Sequence, residues 1–185
     1  DEVKEIIKRI EDLLEDLKRK VERILREDER SLEESRKKVE EILKEIEDVL
    51  RKLKKDVEED RDKDRLREEA KRLLEKLEKL VRDLKREVDE NVKRSEKLVR
   101  EAEELAERLV KELEELVRDL ERKGVDESAI KELRDVVREV KKRAKELIER
   151  LRESVERSRE TNERLIRELE DVVRRVEETV RRLIK

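Results

Sequence analysis

The chain has 185 residues, 61% of them charged and 0% aromatic, and its 55 basic and 58 acidic side chains leave a formal charge of −3. It contains neither His nor Cys, which excludes disulfides, thiolate or imidazole metal cages and a His-activated nucleophile. The two signs of charge are interspersed, so there is no one-sided basic face for nucleic acid. No apolar run approaches the roughly 18 residues of a membrane span.

A chain this charged and poor in aromatics is often disordered. Here the apolar residues are strongly periodic, and periodicity of this kind indicates helix. The first predicted helix covers about 2–59, with apolar residues at Val3, Ile6, Ile7, Ile10, Leu13, Leu14 and Leu17. Eighteen residues on, the pattern returns as Val21, Ile24, Leu25 and Leu32, and eighteen further as Val39, Ile42, Leu43, Ile46, Val49, Leu50 and Leu53. The middle copy is broken at defined slots. Asp28 stands between Ile10 and Ile46, Ser31 between Leu13 and Val49, and Ser35 between Leu17 and Leu53. Eighteen residues make five turns at 3.6 residues per turn, so the stripe stays on one face of a straight helix without supercoiling. Seven apolar slots in eighteen give a stripe wide enough to face two neighbours.

Residues 58–65 are eight consecutive charged residues, across which the stripe stops and changes phase. We read a turn near 60–63, with Asp62 or Asp64 as the cap, since Asp is poor inside a helix and good at its start. The rival reading is one continuous helix through this run.

The second predicted helix covers about 64–122. Leu73, Leu74, Leu77, Leu80 and Val81 return as Leu109, Val110, Leu113, Leu116 and Val117. In the copy between them, Asn91 and Ser95 occupy Leu slots. At 121–128 the sequence Glu-Arg-Lys-Gly-Val-Asp-Glu-Ser reads as a stop and a start. Gly124 suits the left-handed position past a helix end. Asp126 suits the next N-cap, and Val125 with Ile130 has the spacing of a hydrophobic staple.

The third predicted helix covers about 127–184. Val136, Val137, Val140, Ala144, Leu147 and Ile148 return as Val172, Val173, Val176, Val180, Leu183 and Ile184. Ser154, Ser158 and Asn162 fill the slots of Val136, Val140 and Ala144, while Thr161 falls at the edge of the stripe.

Short loops make neighbouring helices antiparallel. The expected fold is all-α: one straight up-down-up three-helix bundle over 1–185, each helix about sixty residues and roughly 90 Å long. Folding the second helix back near residue 61 brings Asp28 level with Ser95 and Ser31 level with Asn91. Folding the third back near Gly124 brings Ser95 level with Ser154, Asn91 with Ser158, and Ser35 with Asn162. We therefore expect a buried polar network of Asp28, Ser31, Ser35, Asn91, Ser95, Ser154, Ser158 and Asn162, with Asp28 partly buried and accepting from Ser95 and Ser154. An unpartnered buried hydroxyl or amide costs on the order of 1–3 kcal/mol, so such a set penalises slipped alignments that a uniform aliphatic core would tolerate.

The layer repeat, the Val/Ile/Leu filling, the Glu/Lys/Arg surfaces, the Gly-Val-Asp-Glu-Ser loop and the Ser and Asn at one level resemble de novo designed parametric helical bundles with buried hydrogen-bond networks. The resemblance covers the whole chain. It implies a stable scaffold, sometimes a building block for assemblies or switches, with no enzyme activity. The first connection lacks the Gly or Pro common in such loops. Asp1 in place of an initiator Met leads us to expect a trimmed tag.

The residues themselves point to no chemistry. Ser hydroxyls near one Asp lack a His or Lys base on the polar stripe, and one carboxylate among hydroxyls and amides is a poor metal cage. We expect no cofactor, no metal, no nucleic acid, no membrane and no required partner. The leading expectation is a monomeric scaffold. The alternatives are an interaction module, as a homo-oligomer or a helix-exchange component with a partner helix, and a small-molecule core at the polar layer.

Overall fold

The apolar period is realised as three α-helices, α1 (Glu2–Glu58), α2 (Lys63–Arg122) and α3 (Glu127–Ile184). The computed structural model describes residues 2–59 and 62–184, without the side chains of residues 2, 183 and 184.

The second connection is built as its sequence demands. Val125 N–H donates to the Leu120 carbonyl at 3.3 Å and Gly124 N–H to the Glu121 carbonyl at 3.2 Å. These two bonds are the Schellman pattern, which requires a left-handed residue at its centre. Gly124 supplies it, with φ at +79°. Beyond it, Ile130 N–H reaches the Asp126 carbonyl at 3.0 Å, and Ser128 Oγ donates to Asp126 Oδ2 at 2.8 Å. Val125 packs against the cluster that holds Ile130, which is the staple. A Cβ at Gly124 would meet nothing within 4 Å, so the cost of adding one is conformational. Gly124→Ala is expected to lower stability by about 1 kcal/mol in a denaturant titration, and Gly124→Asn by less; equal midpoints for all three would contradict the left-handed stop.

At the first connection α1 ends at Glu58 and α2 begins at Lys63. Asp64 N–H donates to Asp62 Oδ1 at 3.2 Å and Leu66 N–H to the Asp62 carbonyl at 3.1 Å. Asp62 is therefore the N-cap. The helix does not run through, and the continuous-helix reading fails. Residues 60 and 61, within the predicted turn, lie outside the described residues.

The chain divides into two compact units whose boundaries fall inside the helices, after Asp28, Val92 and Arg157. In the first unit, residues 1–28 and 93–157, Ile10 packs with Leu113 and Leu133, and Leu17 and Val21 pack with Ala102 and Leu151. As α1 rises in number, α2 falls and α3 rises, which is up-down-up. In the second unit, residues 29–92 and 158–185, Ile46, Leu53, Leu77, Val81, Leu169 and Val176 share one core. Both units are thus three-helix sections.

Ion pairs track the α2–α3 register. Glu121 pairs with Arg134, Glu114 with Lys141, Glu103 with Arg152, and Lys85 with Glu170; in each pair the residue numbers add to 255. Such exposed pairs contribute under about 1 kcal/mol each. Their information is geometric: each unit holds α2 against α3 at the same antiparallel offset.

Candidate functional site

The polar slots are the only candidates the sequence offers, and the structure places them in both units. In the first unit Asp28 is buried, at 7% exposure, deeper than the partial burial expected. Ser95 Oγ donates to Asp28 Oδ1 at 3.2 Å. This is a bond from α2 to α1 between two substituted slots of the repeat. A buried carboxylate needs such donors, because desolvation penalises its charge. Ser154 is half-buried, and the bond expected from it to Asp28 is not seen among the described residues.

In the second unit Ser35, Ser158 and Asn162 are buried, at 6%, 9% and 6% exposure. Ser31, Asn91 and Thr161 are half-buried. Ser35 Oγ donates to the carbonyl of Ser31, one turn back on its own helix, at 3.0 Å. Mid-helix Ser commonly satisfies itself this way. That bond carries no information about a neighbouring helix. Asn162 Oδ1 is buried and accepts no hydrogen bond among the described residues.

Sequence reasoning missed one buried acid. Asp56 is only 5% exposed, yet it belongs to none of the apolar slots. The signal was a change of length: the repeat puts Lys20 and Lys38 at the equivalent places. Long basic side chains reach solvent from a half-buried site; Asp is too short to do so.

Around these slots the electrostatics are those of a solvated surface. The Arg152 guanidinium, through its hydrogen bond, holds the Glu103 carboxyl below its usual range, and Glu103 in turn raises Arg152. Between the same helices lies a groove of about 430 Å³ over Ala106, Val110, Ala144 and Ile148, bounded by the Glu103–Arg152 and Glu114–Lys141 pairs. It opens where alanines replace larger aliphatics, and none of the polar slots lines it. Among the described residues no group of three or more acidic side chains is placed to hold a metal ion, and no helix is long and apolar enough to cross a membrane.

No protein-family model matches the chain, and no curated protein is significantly similar to it. A solved structure described as a computationally designed three helix bundle is similar in fold, with a TM-score of 0.64 at 20% identity over 99% of this chain and 89% of that one. The periodic stripes, the two capped connections and this likeness agree on one architecture: the chain is an all-α, up-down-up three-helix bundle.

Proposed function

We propose that this chain is a designed structural scaffold, and that its polar slots act in alignment rather than in catalysis or ligand binding. The observation that carries the reading is the hydrogen bond from Ser95 to Asp28 at 3.2 Å. Both residues stand where the repeat elsewhere has aliphatic side chains. Uninterrupted stripes of Leu, Ile and Val are sticky along their whole length and tolerate slippage by a repeat. A donor and an acceptor on different helices tolerate only the offset that joins them, since a slip leaves a buried carboxylate facing aliphatic groups. The designed origin of the similar bundle supports the same reading. No reaction is assigned, because no His or Lys base shares the polar stripe with the hydroxyls.

The test is a filled variant, in which Asp28, Ser31, Ser35, Asn91, Ser95, Ser154, Ser158 and Asn162 each take the aliphatic residue of the neighbouring repeat. Replacing both members of a buried polar pair by well-packed apolar groups is often neutral or stabilising. The filled variant is therefore expected to resist denaturant at least as well as the parent, yet to lose a unique alignment. Sedimentation should give one 22.6 kDa species for the parent, as expected of a monomer needing no partner. The filled variant should give mixed oligomers and duplicated amide resonances. A filled variant that is monomeric with one set of resonances would overturn the alignment role.

A further inference from the structure

The slots for ion pairs between α2 and α3 follow the eighteen-residue repeat in two series. One places Arg134, Arg152 and Glu170 on α3; the other places Lys141, Arg159 and Glu177, of which Arg159 pairs along its own helix with Glu163. In the first series each residue meets the opposite charge on α2: Glu121, Glu103 and Lys85. The polarity reverses at Lys85, where the base moves to α2 and the acid to α3. In the second series Lys141 meets Glu114 at 3.7 Å. The reversal should then give Glu177 a basic partner at position 78, which shares the offset of 255. Glu stands there instead.

The two carboxyls meet. Glu78 and Glu177 line one groove of about 630 Å³ over Ala70, Leu74 and Val180 in the second unit, at the same offset that brings the four opposite-charge pairs within 4.0 Å. Two carboxylates have only acceptors between them, so these two can bond to each other only with a proton shared across the pair. Without it, like charges face each other over an apolar floor.

We propose that Glu78 and Glu177 form a proton-operated clasp between α2 and α3, closed in mild acid by one shared proton and pushed open at neutral pH by carboxylate repulsion. The surrounding charges are Arg67, Lys71 and Glu75 on α2 and Arg181 on α3, all lining the groove, with Arg174 on α3 also acting on Glu177. The bond to Glu78, then burial, then the charge of Glu78 hold the Glu177 carboxyl above its usual range, against the pull of Arg181 and Arg174. The sign follows from linkage. A carboxyl whose value is raised on folding adds stability that is full below the ordinary Glu value and is lost as pH rises through the raised one. The clasp is thus a device for sensing acid, unlike the other pairs of the series.

Denaturant midpoints of the parent, Glu78→Gln and Glu78→Lys at about pH 3.5 and about pH 7.5, on either side of the carboxyl range, test it. At the higher pH both variants should shift the midpoint upward, Glu78→Lys more so, since it restores the opposite-charge pattern. At the lower pH Glu78→Gln should be neutral and Glu78→Lys should shift it downward. A carbon-detected titration of the parent should also place Glu177 above the ordinary Glu range. Equal shifts at both pH values, shifts matched by the exposed control Glu41→Lys, or an ordinary titration of Glu177 would overturn the clasp.

Discussion

Leu151→Ala is expected to reduce the unfolding free energy by about 2–5 kcal/mol, the range for emptying a fully packed leucine site. Leu151 is 0% exposed and packs with Leu17, Val21, Ile148 and Val155. Two terms add. The lost transfer free energy of the leucine side chain is one, and the residual cavity is the other. The cavity term is large where the surroundings cannot collapse, and long helices packed side by side move only as rods. Ala102 and Ala106 already belong to this cluster, so there is little spare side chain to fill the gap. Leu105, at 37% exposure, gives the contrast: Leu105→Ala should stay within about 0.5 kcal/mol of the parent. Urea titrations with an unchanged slope would attribute the loss to the native state. A loss below about 1 kcal/mol at Leu151 would mean that the packing described for this cluster is wrong.

The second large effect is at the polar pair. Ser95→Ala should cost about 1–3 kcal/mol, the penalty for removing a donor from a buried acceptor. Asp28 keeps other interactions, which places the expected loss toward the lower part of that range. Ser95→Thr retains the hydroxyl and should recover most of it. Ser154→Ala serves as the reference, since Ser154 is half-buried and makes no bond to Asp28. Urea midpoints that fall equally for Ser95→Ala and Ser154→Ala would assign the loss to helix packing and remove the hydrogen bond from the account.

The three helices and the second connection were legible in the sequence because they rest on local rules. A stripe with an eighteen-residue period admits one face, and Gly124 followed by Asp126 admits one kind of turn. The first connection was half legible. Its charged run located the turn but left two capping candidates, and only the bond from Asp64 N–H to Asp62 Oδ1 at 3.2 Å separates them. The polar slots were legible as deviations from the repeat, but their bonding was not. A serine on a helix can satisfy itself on the carbonyl four residues back, as Ser35 does, or reach another helix, as Ser95 does. Slot position does not choose between these, because the choice depends on rotamers and on sub-ångström spacing. Asp56 was overlooked for a different reason. Nothing in an apolar count marks a charged slot that has become short. The like-charged pair at Glu78 and Glu177 needed the offset between α2 and α3, which is a tertiary quantity.

The eighteen-residue period has a consequence for how this molecule could be resized. Because eighteen residues complete a whole number of turns, excising one period from a helix returns the chain to the same angular position. Removing a period from all three helices at matched levels would shorten each by about 27 Å and leave every stripe facing as before. Inserting a period would lengthen them by the same step. Length is thus a separable parameter of this chain. The aliphatic periods act as interchangeable spacers, while the period carrying Asp28 and Ser95 and the turn at Gly124 each occur once in the sequence.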